Sequence, residues 1–390
     1  MSGIFAKRMS ALGTETAFEV LAKAKALEKQ GKDIIHLEIG EPDFDTPKNI
    51  KEAAVKALYA GYTHYVPAAG IPELREAIAE YISKTRRIDV DPEEVVVTPG
   101  AKPIMFFAIL ALVNPGDEVM YPNPGFPIYE SLINFVDAKP VPIPLKEEND
   151  FRMDPEYVKE KITKKTKMII LNSPENPTGG VLTKEDIKVV ADCIANRDDV
   201  FVLSDEVYSR IIYEGENESI ASLPGMKEKT IILDGFSKTY AMTGWRLGYG
   251  VMRKDLAQKI AQLMINSNSC TCAFIQMAGL EALKGPQKES DKMVAEFKKR
   301  RDVIVDGLNK IKGITCKKPY GAFYVFPNIT GTGMDCRKLG DYLLNEAGVA
   351  VLPGTAFGQY GEGYLRMSFA NSIENIKKAL ERIGEALQKL

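Results

Sequence analysis

The sequence predicts an α/β protein with a large, mostly parallel sheet flanked by helices and a smaller α+β domain. Two observations carry this prediction. Apolar, β-branched runs alternate with amphipathic segments between residues 95 and 233, and strands that alternate with helices usually pair in parallel under helices on both faces. After about Gly285 the pattern changes to a long charged helix, two short strands and a final helix.

The predicted strands of the large sheet follow one another through the middle of the chain. Helices are predicted between them, and ligands of such sheets collect at the carboxyl ends of the strands. We therefore look for functional residues at those ends. The predicted strands are Val95–Thr98, Glu118–Tyr121, Lys167–Asn172, Val200–Asp205 and Thr230–Leu233, and the helices are Pro103–Val113, Ile128–Phe135 and Lys184–Ala195.

The smaller domain is predicted from the C-terminal pattern. The strand-like run Ile34–Ile39 lies outside the alternating series, so we expect the N-terminal segment to pack with the small domain. The predicted division is an N-terminal segment at 1–47, a large domain at 48–285 and a small domain at 286–390. The C-terminal elements are a helix at Lys288–Lys312, strands at Ala322–Pro327 and Tyr364–Phe369, and a helix from about Ser372 to Leu390.

The composition argues against several classes of protein. Lys and Arg number 51 against 53 Asp and Glu, which does not favour a nucleic-acid or anionic-membrane surface. The longest apolar run, Ile104–Val113, is too short to span a membrane, and the N-terminus has no signal-peptide pattern. Five scattered cysteines are typical of reduced thiols, and two histidines do not make a typical zinc site. We expect a cytoplasmic protein without a metal.

A lysine follows the last predicted strand, in the segment DGFSKTYAMTGWRLGY at Asp234–Tyr249. A lysine in such a turn is usually a solvated side chain. Here Ser237 and Thr239 offer hydroxyls and Arg246 offers a guanidinium, and these groups suit a phosphate dianion. A lysine beside a phosphate site is what pyridoxal phosphate needs, because enzymes hold this aldehyde as a lysine imine. Lys238 is therefore the candidate.

Neighbouring strand ends offer further contacts for such a cofactor. Asp205 ends an apolar strand, and a carboxylate there could keep the pyridine nitrogen protonated, although a strand-end Asp is often only a turn former. Tyr208 follows three residues later and could bond the ring oxygen O3′. Asn176, in an Asn-Pro-x-Gly turn after another strand, could reach the same oxygen or simply form a turn.

Two more segments are candidates for binding anions. Val95–Thr98 leads into a turn at Gly100, and Pro103 stands where a helix would start, so backbone N–H groups there can hold an anion. In Tyr364–Phe369 polar and apolar residues alternate. Arg366 is then either an exposed strand arginine or a bidentate clamp for a substrate carboxylate.

With these residues in place, the chain resembles the pyridoxal-phosphate-dependent aminotransferases of fold type I, specifically the class I/II group that includes aspartate aminotransferases. The likeness runs over nearly the whole chain, and the order of its motifs is specific. The motifs are GEPDF at Gly40–Phe44, YxxxxGxxELR at Tyr65–Arg75, GAK at Gly100–Lys102, NSPxNPTG at Asn172–Gly179, SDEVY at Ser204–Tyr208, SKTYAMTGWRLGY at Ser237–Tyr249 and YLRMSF at Tyr364–Phe369.

The resemblance implies a role for each matching residue. Lys238 would form the imine and move the substrate proton, Asp205 would pair with the pyridinium nitrogen, and Tyr208 and Asn176 would bond O3′. The resemblance further implies that Phe126 stacks on the ring and that the phosphate is contacted by Gly100, Ala101, Lys102, Ser237 and Arg246. It implies that the substrate is bound by Gly40, Phe126, Asn176, Lys102 and Arg366. It also implies a homodimer with shared active sites, in which Tyr65 contacts the phosphate bound by the other subunit.

The sequence departs from the family pattern at two positions. Some members carry a serine three residues before the lysine, where this chain has Gly235, so Ser237 would do more of the phosphate binding. Phe126 stands where many members have Trp or Tyr, and a phenyl ring can stack but cannot donate a hydrogen bond.

The implied reaction moves the amino group of an L-amino acid to a 2-oxo acid in a ping-pong cycle of pyridoxal and pyridoxamine phosphate. Lys102 favours aspartate and 2-oxoglutarate, because some bacterial relatives use a lysine at this position to recognise the distal carboxylate. Glu15 lies in a segment that would cover the site and would repel a second carboxylate. Aromatic or alanine donors therefore remain open.

Other functions on related scaffolds are weighed against this reading. β-Lyases, acyltransferases and cyclopropane-forming synthases share the scaffold, and a 2-oxo acid requirement would separate them. An effector-binding regulatory protein would usually append a DNA-binding domain, and no basic helix-turn-helix region is evident. A plain nucleotide-binding α/β protein is opposed by the lack of a GxGxxG or GxxxxGK[ST] motif after a strand.

Overall fold

The computed structural model describes residues 4–390, and a seven-stranded sheet forms its centre. The strand order in this sheet is β2-β8-β7-β6-β5-β3-β4. In chain order the strands are β1 (Ile35–His36), β2 (Val95–Thr98), β3 (Glu118–Asn123), β4 (Lys139–Pro144), β5 (Thr166–Asn172), β6 (Phe201–Asp205), β7 (Thr230–Gly235), β8 (Gly248–Val251), β9 (Tyr324–Val325), β10 (Val349–Ala350), β11 (Leu352–Pro353) and β12 (Leu365–Ser368).

Helices cover both faces of the sheet and fill the C-terminal region. None of the helices within residues 4–390 is long and apolar enough to cross a membrane. In chain order they are α1 (Thr16–Glu28), α2 (Lys48–Tyr59), α3 (Pro72–Arg86), α4 (Lys102–Leu112), α5 (Ile128–Phe135), α6 (Pro155–Lys161), α7 (Lys184–Ile194), α8 (Phe236–Thr239), α9 (Lys254–Ser267), α10 (Ala273–Lys284), α11 (Lys288–Leu308), α12 (Cys336–Tyr342) and α13 (Ile373–Leu387).

The central strands run parallel and are buried along their length. β4, β3, β5, β6 and β7 pair in parallel, while β8 runs antiparallel between β7 and β2. The near-continuous apolar sequences of β5 and β6 are typical of strands covered on both faces. Asn172 pairs with Asp205, and Asp205 pairs with Leu233. The carboxyl ends of three adjacent strands therefore meet at one edge.

Two strands of this sheet, β4 and β8, were not predicted from the sequence, and each has a physical reason. β4 reads Lys-Pro-Val-Pro-Ile-Pro, and prolines are tolerated there because it is an edge strand. β8 contains Gly248 and Gly250 where a strand normally carries β-branched residues. A Cβ on Gly248 would meet the Ala101 nitrogen at 2.4 Å. The glycine is thus required by the close approach of the loop before α4.

The C-terminal region has its own core and includes a strand from the N-terminal segment. β11, β12 and β9 form an antiparallel sheet, and β1 pairs in parallel with β10. The predicted strand Ala322–Pro327 is shorter in the structure, where only β9 (Tyr324–Val325) is a strand, since Ala322 has a positive φ of 57°. The predicted helix Lys288–Lys312 ends at Leu308. The division at residues 47 and 285 stays a prediction.

Candidate active site

A cavity of about 590 Å³ opens at the carboxyl ends of β5, β6 and β7. A volume of this size suits a cofactor together with a small substrate. The large sheet, the N-terminal segment and the C-terminal region all contribute to its wall. The cavity brings together every predicted site residue except Gly100 and Tyr65, namely Gly40, Ala101, Lys102, Phe126, Asn176, Asp205, Tyr208, Ser237, Lys238, Arg246 and Arg366.

Asp205 is buried at the end of β6 and keeps one oxygen almost free. Its Oδ2 accepts a hydrogen bond from the Tyr129 hydroxyl at 2.7 Å. Its Oδ1 has only a long contact of 3.4 Å with the Val207 nitrogen. Burial raises the pKa of Asp205 to about 6, while the Tyr129 hydrogen bond opposes this rise. Oδ1 can therefore accept a further hydrogen bond, and a cationic donor suits it best.

Lys238 stands on the short helix α8, directly after β7. Its Nζ donates to the Gly40 carbonyl at 2.5 Å, and its remaining accessible surface faces the cavity. Burial lowers the pKa of Lys238 to about 8; the negative charge of Glu41 opposes the shift, and the positive charges of Arg366 and Arg246 add to it. The lowered pKa increases the unprotonated fraction of this amine to about a tenth at pH 7, and the unprotonated form is the one that a nucleophile or base requires.

Two buried tyrosines lie next to the lysine. The Tyr208 and Tyr324 hydroxyls are 2.7 Å apart, and the Lys238 ammonium lies 5.9 Å from the centre of the Tyr208 ring. Burial raises the pKa of both phenols above the ordinary value. They therefore remain protonated. Because one hydroxyl donates to the other, a single O–H of the pair is left to donate into the cavity.

Arg366 on β12 is buried and only partly paired, so the reading as an exposed strand arginine is wrong. It is 4% exposed, and its guanidinium lies over the rings of Tyr324 and Phe357 at 4.5 and 4.9 Å. It donates to Asn176 Oδ1 at 3.2 Å and to the Glu38 carbonyl, while Nε has no hydrogen-bond partner in the part of the chain that the structure describes. Such a buried guanidinium has donors left for a carboxylate.

The loop before α4 packs against Arg246 at the opposite side of the site. Gly100 has a φ of +86°, and a Cβ there would meet the Arg246 guanidinium at 2.2 Å. Gly100 is therefore beneath the arginine rather than in the cavity wall. Arg246 donates to the Thr243 carbonyl at 2.7 Å and lies near Ser237 in the cavity lining.

The cavity has a surplus of positive charge that fits pyridoxal phosphate. Within residues 4–390, neither Lys238 nor Arg246 nor Arg366 has a carboxylate partner within 4.0 Å. Buried cations normally have partners, so Lys238 and Arg366 suit an anionic ligand, and the exposed Arg246 adds a third positive charge to the cavity lining. A phosphate near Arg246, an aldehyde near Lys238 and a pyridinium nitrogen near Asp205 would each meet a complementary group.

We call Asp205, Tyr129, Tyr208 and Lys238 the floor of the cavity, and Glu15, Phe18, Lys102 and Phe126 its mouth. At the mouth, the Glu15 carboxylate pairs with Lys102 Nζ. The same ammonium lies 5.2 Å from the centre of the Phe126 ring. The Lys102 side chain is thus directed to the mouth, and a phosphate contact from this residue would use its backbone N–H.

Sequence reasoning missed Tyr129 and Tyr324. Tyr129 lies on a helix that the apolar pattern correctly predicts, but the pattern does not show which acid its hydroxyl reaches. Tyr324 was counted only as part of a strand. Tyr65 is 89% exposed and lies outside the cavity of its own chain.

Comparisons with known proteins agree over most of the chain. A family model described as aminotransferase class I and II matches residues 32–383. An aspartate aminotransferase of Pyrococcus horikoshii is 47% identical over 95% of this chain and 94% of its own. An aromatic-amino-acid aminotransferase of Thermococcus litoralis is 42% identical over 91% of this chain and 92% of its own. The structure of a Thermus thermophilus aspartate aminotransferase with maleate superposes on this one with a TM-score of 0.94. The two sequences are 39% identical, and the match covers 99% of this chain and 100% of the other. The α/β fold class is confirmed.

Proposed function

The chain is an enzyme of the class I and II aminotransferase family, and from that membership we propose that it binds pyridoxal 5′-phosphate and transfers the amino group of L-aspartate to 2-oxoglutarate. The observation that carries the proposal is the set of three cations in one cavity with Asp205, namely Lys238, Arg246 and Arg366, none of which has a carboxylate partner among residues 4–390. A dianionic cofactor and a substrate carboxylate together balance these charges.

The cofactor contacts come from side chains that already converge on the cavity. When bound, pyridoxal phosphate supplies a ring that withdraws the electron pair left by removal of the substrate Cα proton. Arg246 and Ser237, with the backbone at Ala101, would hold its phosphate, and Gly100 supports Arg246 from beneath. Asp205 Oδ1 would accept a hydrogen bond from the protonated ring nitrogen.

The remaining cofactor contacts hold the ring in place. Tyr208 and Asn176 bind the ring oxygen O3′. Phe126 packs against the ring face and helps to exclude water. These contacts would restrain the ring, so that the substrate Cα is presented to Lys238 in one orientation.

Proton transfer is assigned to Lys238. Its Nζ would take the proton from the substrate Cα and return it to the C4′ carbon of the cofactor, so one group acts first as base and then as acid. Its pKa of about 8 suits both directions near neutral pH. Arg366 binds the α-carboxylate, aided by the backbone of Gly40, and thereby fixes the Cα–H bond relative to Nζ.

Aspartate is the proposed donor because Lys102 supplies a second cation at the mouth, beyond the one that binds the α-carboxylate. The P. horikoshii and T. thermophilus relatives named aspartate aminotransferase support this choice. An aromatic donor is the second candidate, because the rings of Phe18, Phe126 and Phe357 line the same cavity. The T. litoralis relative supports that alternative.

We further propose a cytoplasmic homodimer in which Tyr65 reaches the site of the other subunit. The stretch before Tyr65 exposes apolar side chains, including Val55 at 53% and Tyr59 at 89%, and such patches commonly mark an interface. Sedimentation analysis at micromolar concentration tests this: a dimer is expected, and a monomer would contradict it.

The visible spectrum of the purified protein tests the cofactor and the donor together. We expect the absorption band of a lysine-bound cofactor, and its conversion to the pyridoxamine form on addition of L-aspartate without any oxo acid. A band that converts with phenylalanine but not with aspartate would select the aromatic alternative. The absence of any cofactor band, even after incubation with pyridoxal phosphate, would refute the proposal.

A further inference from the structure

The mouth of the cavity holds a carboxylate for which the proposed reaction has no use. Glu15 stands directly before α1, where a side chain often caps the helix, yet it makes no capping hydrogen bond. Its carboxylate contacts Lys102 Nζ instead, and its side chain is only 20% exposed. Glu15 therefore belongs to the cavity wall rather than to the helix end.

The backbone on either side of Glu15 is anchored to a different part of the protein. On one side, the Gly13 nitrogen donates to Ser131 Oγ on α5 at 2.9 Å. On the other side, α1 packs through the fully buried Ala24 against Leu344 of the C-terminal region. The position of Glu15 is thus set by packing on both sides, and the segment crosses the mouth.

The charge of Glu15 acts on the groups that would hold a substrate. Burial lowers the pKa of Lys238 and of Arg366, and among the charges that oppose this shift is the carboxylate of Glu15. Charges influence one another in this way only when they are close or poorly screened. A second carboxylate bound at the mouth would therefore meet Glu15 as well as Lys102.

We propose that Glu15 occupies, in the substrate-free enzyme, the place on Lys102 that the second carboxylate of a dicarboxylic substrate takes. This inference rests on the proposed function, in which Lys102 receives that carboxylate. Two carboxylates at one ammonium repel each other, so a dicarboxylate must displace Glu15. An aromatic substrate does not compete for Lys102. Glu15 is then a specificity-determining residue that weakens dicarboxylate binding selectively and keeps the donor range broad.

Binding of unreactive ligands to the pyridoxal-phosphate-loaded enzyme tests this directly. Maleate serves as the dicarboxylate and 3-phenylpropionate as the aromatic monocarboxylate, with dissociation constants from calorimetry. Glu15→Gln is expected to tighten maleate binding about fivefold, in line with the strength of a partly exposed ion pair, and to change 3-phenylpropionate binding less than twofold. No change for maleate, or an equal change for both ligands, would overturn the proposal.

A double-mutant cycle separates competition for Lys102 from general repulsion. In a Lys102→Met background, Glu15→Gln should alter maleate binding less than twofold, because the contested ammonium is gone. An undiminished effect in that background would overturn the proposal. Glu41→Gln is the matched control: Glu41 also lines the cavity but contacts Thr243 rather than Lys102, so its effect on the maleate-to-phenylpropionate ratio should stay below twofold.

These outcomes are distinguishable from failure of the proposed function. If aspartate fails to convert the cofactor band but Glu15→Gln tightens maleate selectively, the donor assignment is wrong and the competition at Lys102 stands. If aspartate converts the band and Glu15→Gln has no selective effect, the reaction stands and the role of Glu15 is refuted.

Discussion

The floor and the mouth of the cavity differ in how deeply their side chains are buried. On the floor, Asp205, Tyr129 and Tyr208 are at most 6% exposed and stand on or beside the large sheet. At the mouth, Phe18 is 62% exposed and the Lys102 side chain 48%. Buried polar groups keep their partners because an unpaired one is costly, whereas exposed groups can exchange theirs. We therefore expect the floor to determine the reaction and the mouth to determine the donor.

The largest expected effect comes from removing the floor lysine. Lys238→Ala should lower kcat by at least about 10⁴-fold for every donor, because one amine supplies both the base and the acid. Cofactor should still bind through the phosphate contacts. Single-turnover absorbance with aspartate and with phenylalanine measures this. The control is Lys254→Ala, which removes an exposed lysine on α9 and should leave the rate unchanged. Normal turnover by Lys238→Ala would show that Lys238 is not the catalytic base and acid.

Removing the charge of Asp205 should have the next largest effect. Asp205→Asn keeps the shape but cannot stabilise a protonated ring nitrogen, so we expect kcat to fall roughly 10²–10³-fold, the size of a lost electrostatic contact. The fall should be the same for aspartate and for aromatic donors. A loss confined to one donor would show that Asp205 acts on substrate recognition and would break the distinction between floor and mouth.

Substitutions of two cations, Arg366 and Lys102, test whether the mouth of the cavity selects the donor. Arg366→Lys removes a bidentate clamp and should raise KM roughly 10–100-fold for all donors, since hydrogen bonds to charged groups contribute about 1.5–3 kcal/mol. Lys102→Met should raise KM for aspartate while leaving KM for phenylalanine within twofold. Steady-state kinetics with both donors measures the contrast. Equal effects of Lys102→Met on both would mean that the mouth does not select the donor.

The smallest expected effect is on stability and depends on pH. Burial raises the pKa of Glu175 to about 8, and its Oε1 finds no hydrogen-bond partner among the described residues. Between about pH 4.5 and pH 8 the folded protein therefore holds a proton that the unfolded chain has released. The contribution of Glu175 to the free energy of unfolding decreases as the pH rises through this range. Glu175→Gln should raise Tm by about 1–3 °C more at pH 9 than at pH 5.

Differential scanning calorimetry at the two pH values measures this difference. Glu185→Gln, an exposed glutamate on α7, is the control and should show no such pH dependence. A Glu175→Gln difference that is constant between pH 5 and pH 9 would mean that Glu175 is ionised in the folded protein.

The parts of the site that lie on parallel strands could be predicted from sequence, and the contacts between distant elements could not. Asp205 and Lys238 follow apolar runs, so the pattern alone brings them to one edge of the sheet. Tyr129 reaches Asp205 from α5, and hydrophobic periodicity shows only that α5 has a buried face. Likewise the Glu15–Lys102 pair joins residues 87 apart. The sequence predicted that Glu15 would repel a second carboxylate but not that it pairs with Lys102.

The pairing of β1 with β10 has a consequence for synthesis of the chain. Ile35 emerges from the ribosome early, but its partner Val349 follows about 300 residues later, tens of seconds at roughly 5–20 residues per second. The strands of the large sheet are complete well before then. During that interval the nascent N-terminal segment carries a strand, Ile35–His36, that lacks its partner. Chaperones that shield such segments should therefore matter more for the yield of this enzyme than for a protein whose strands pair with their neighbours in sequence.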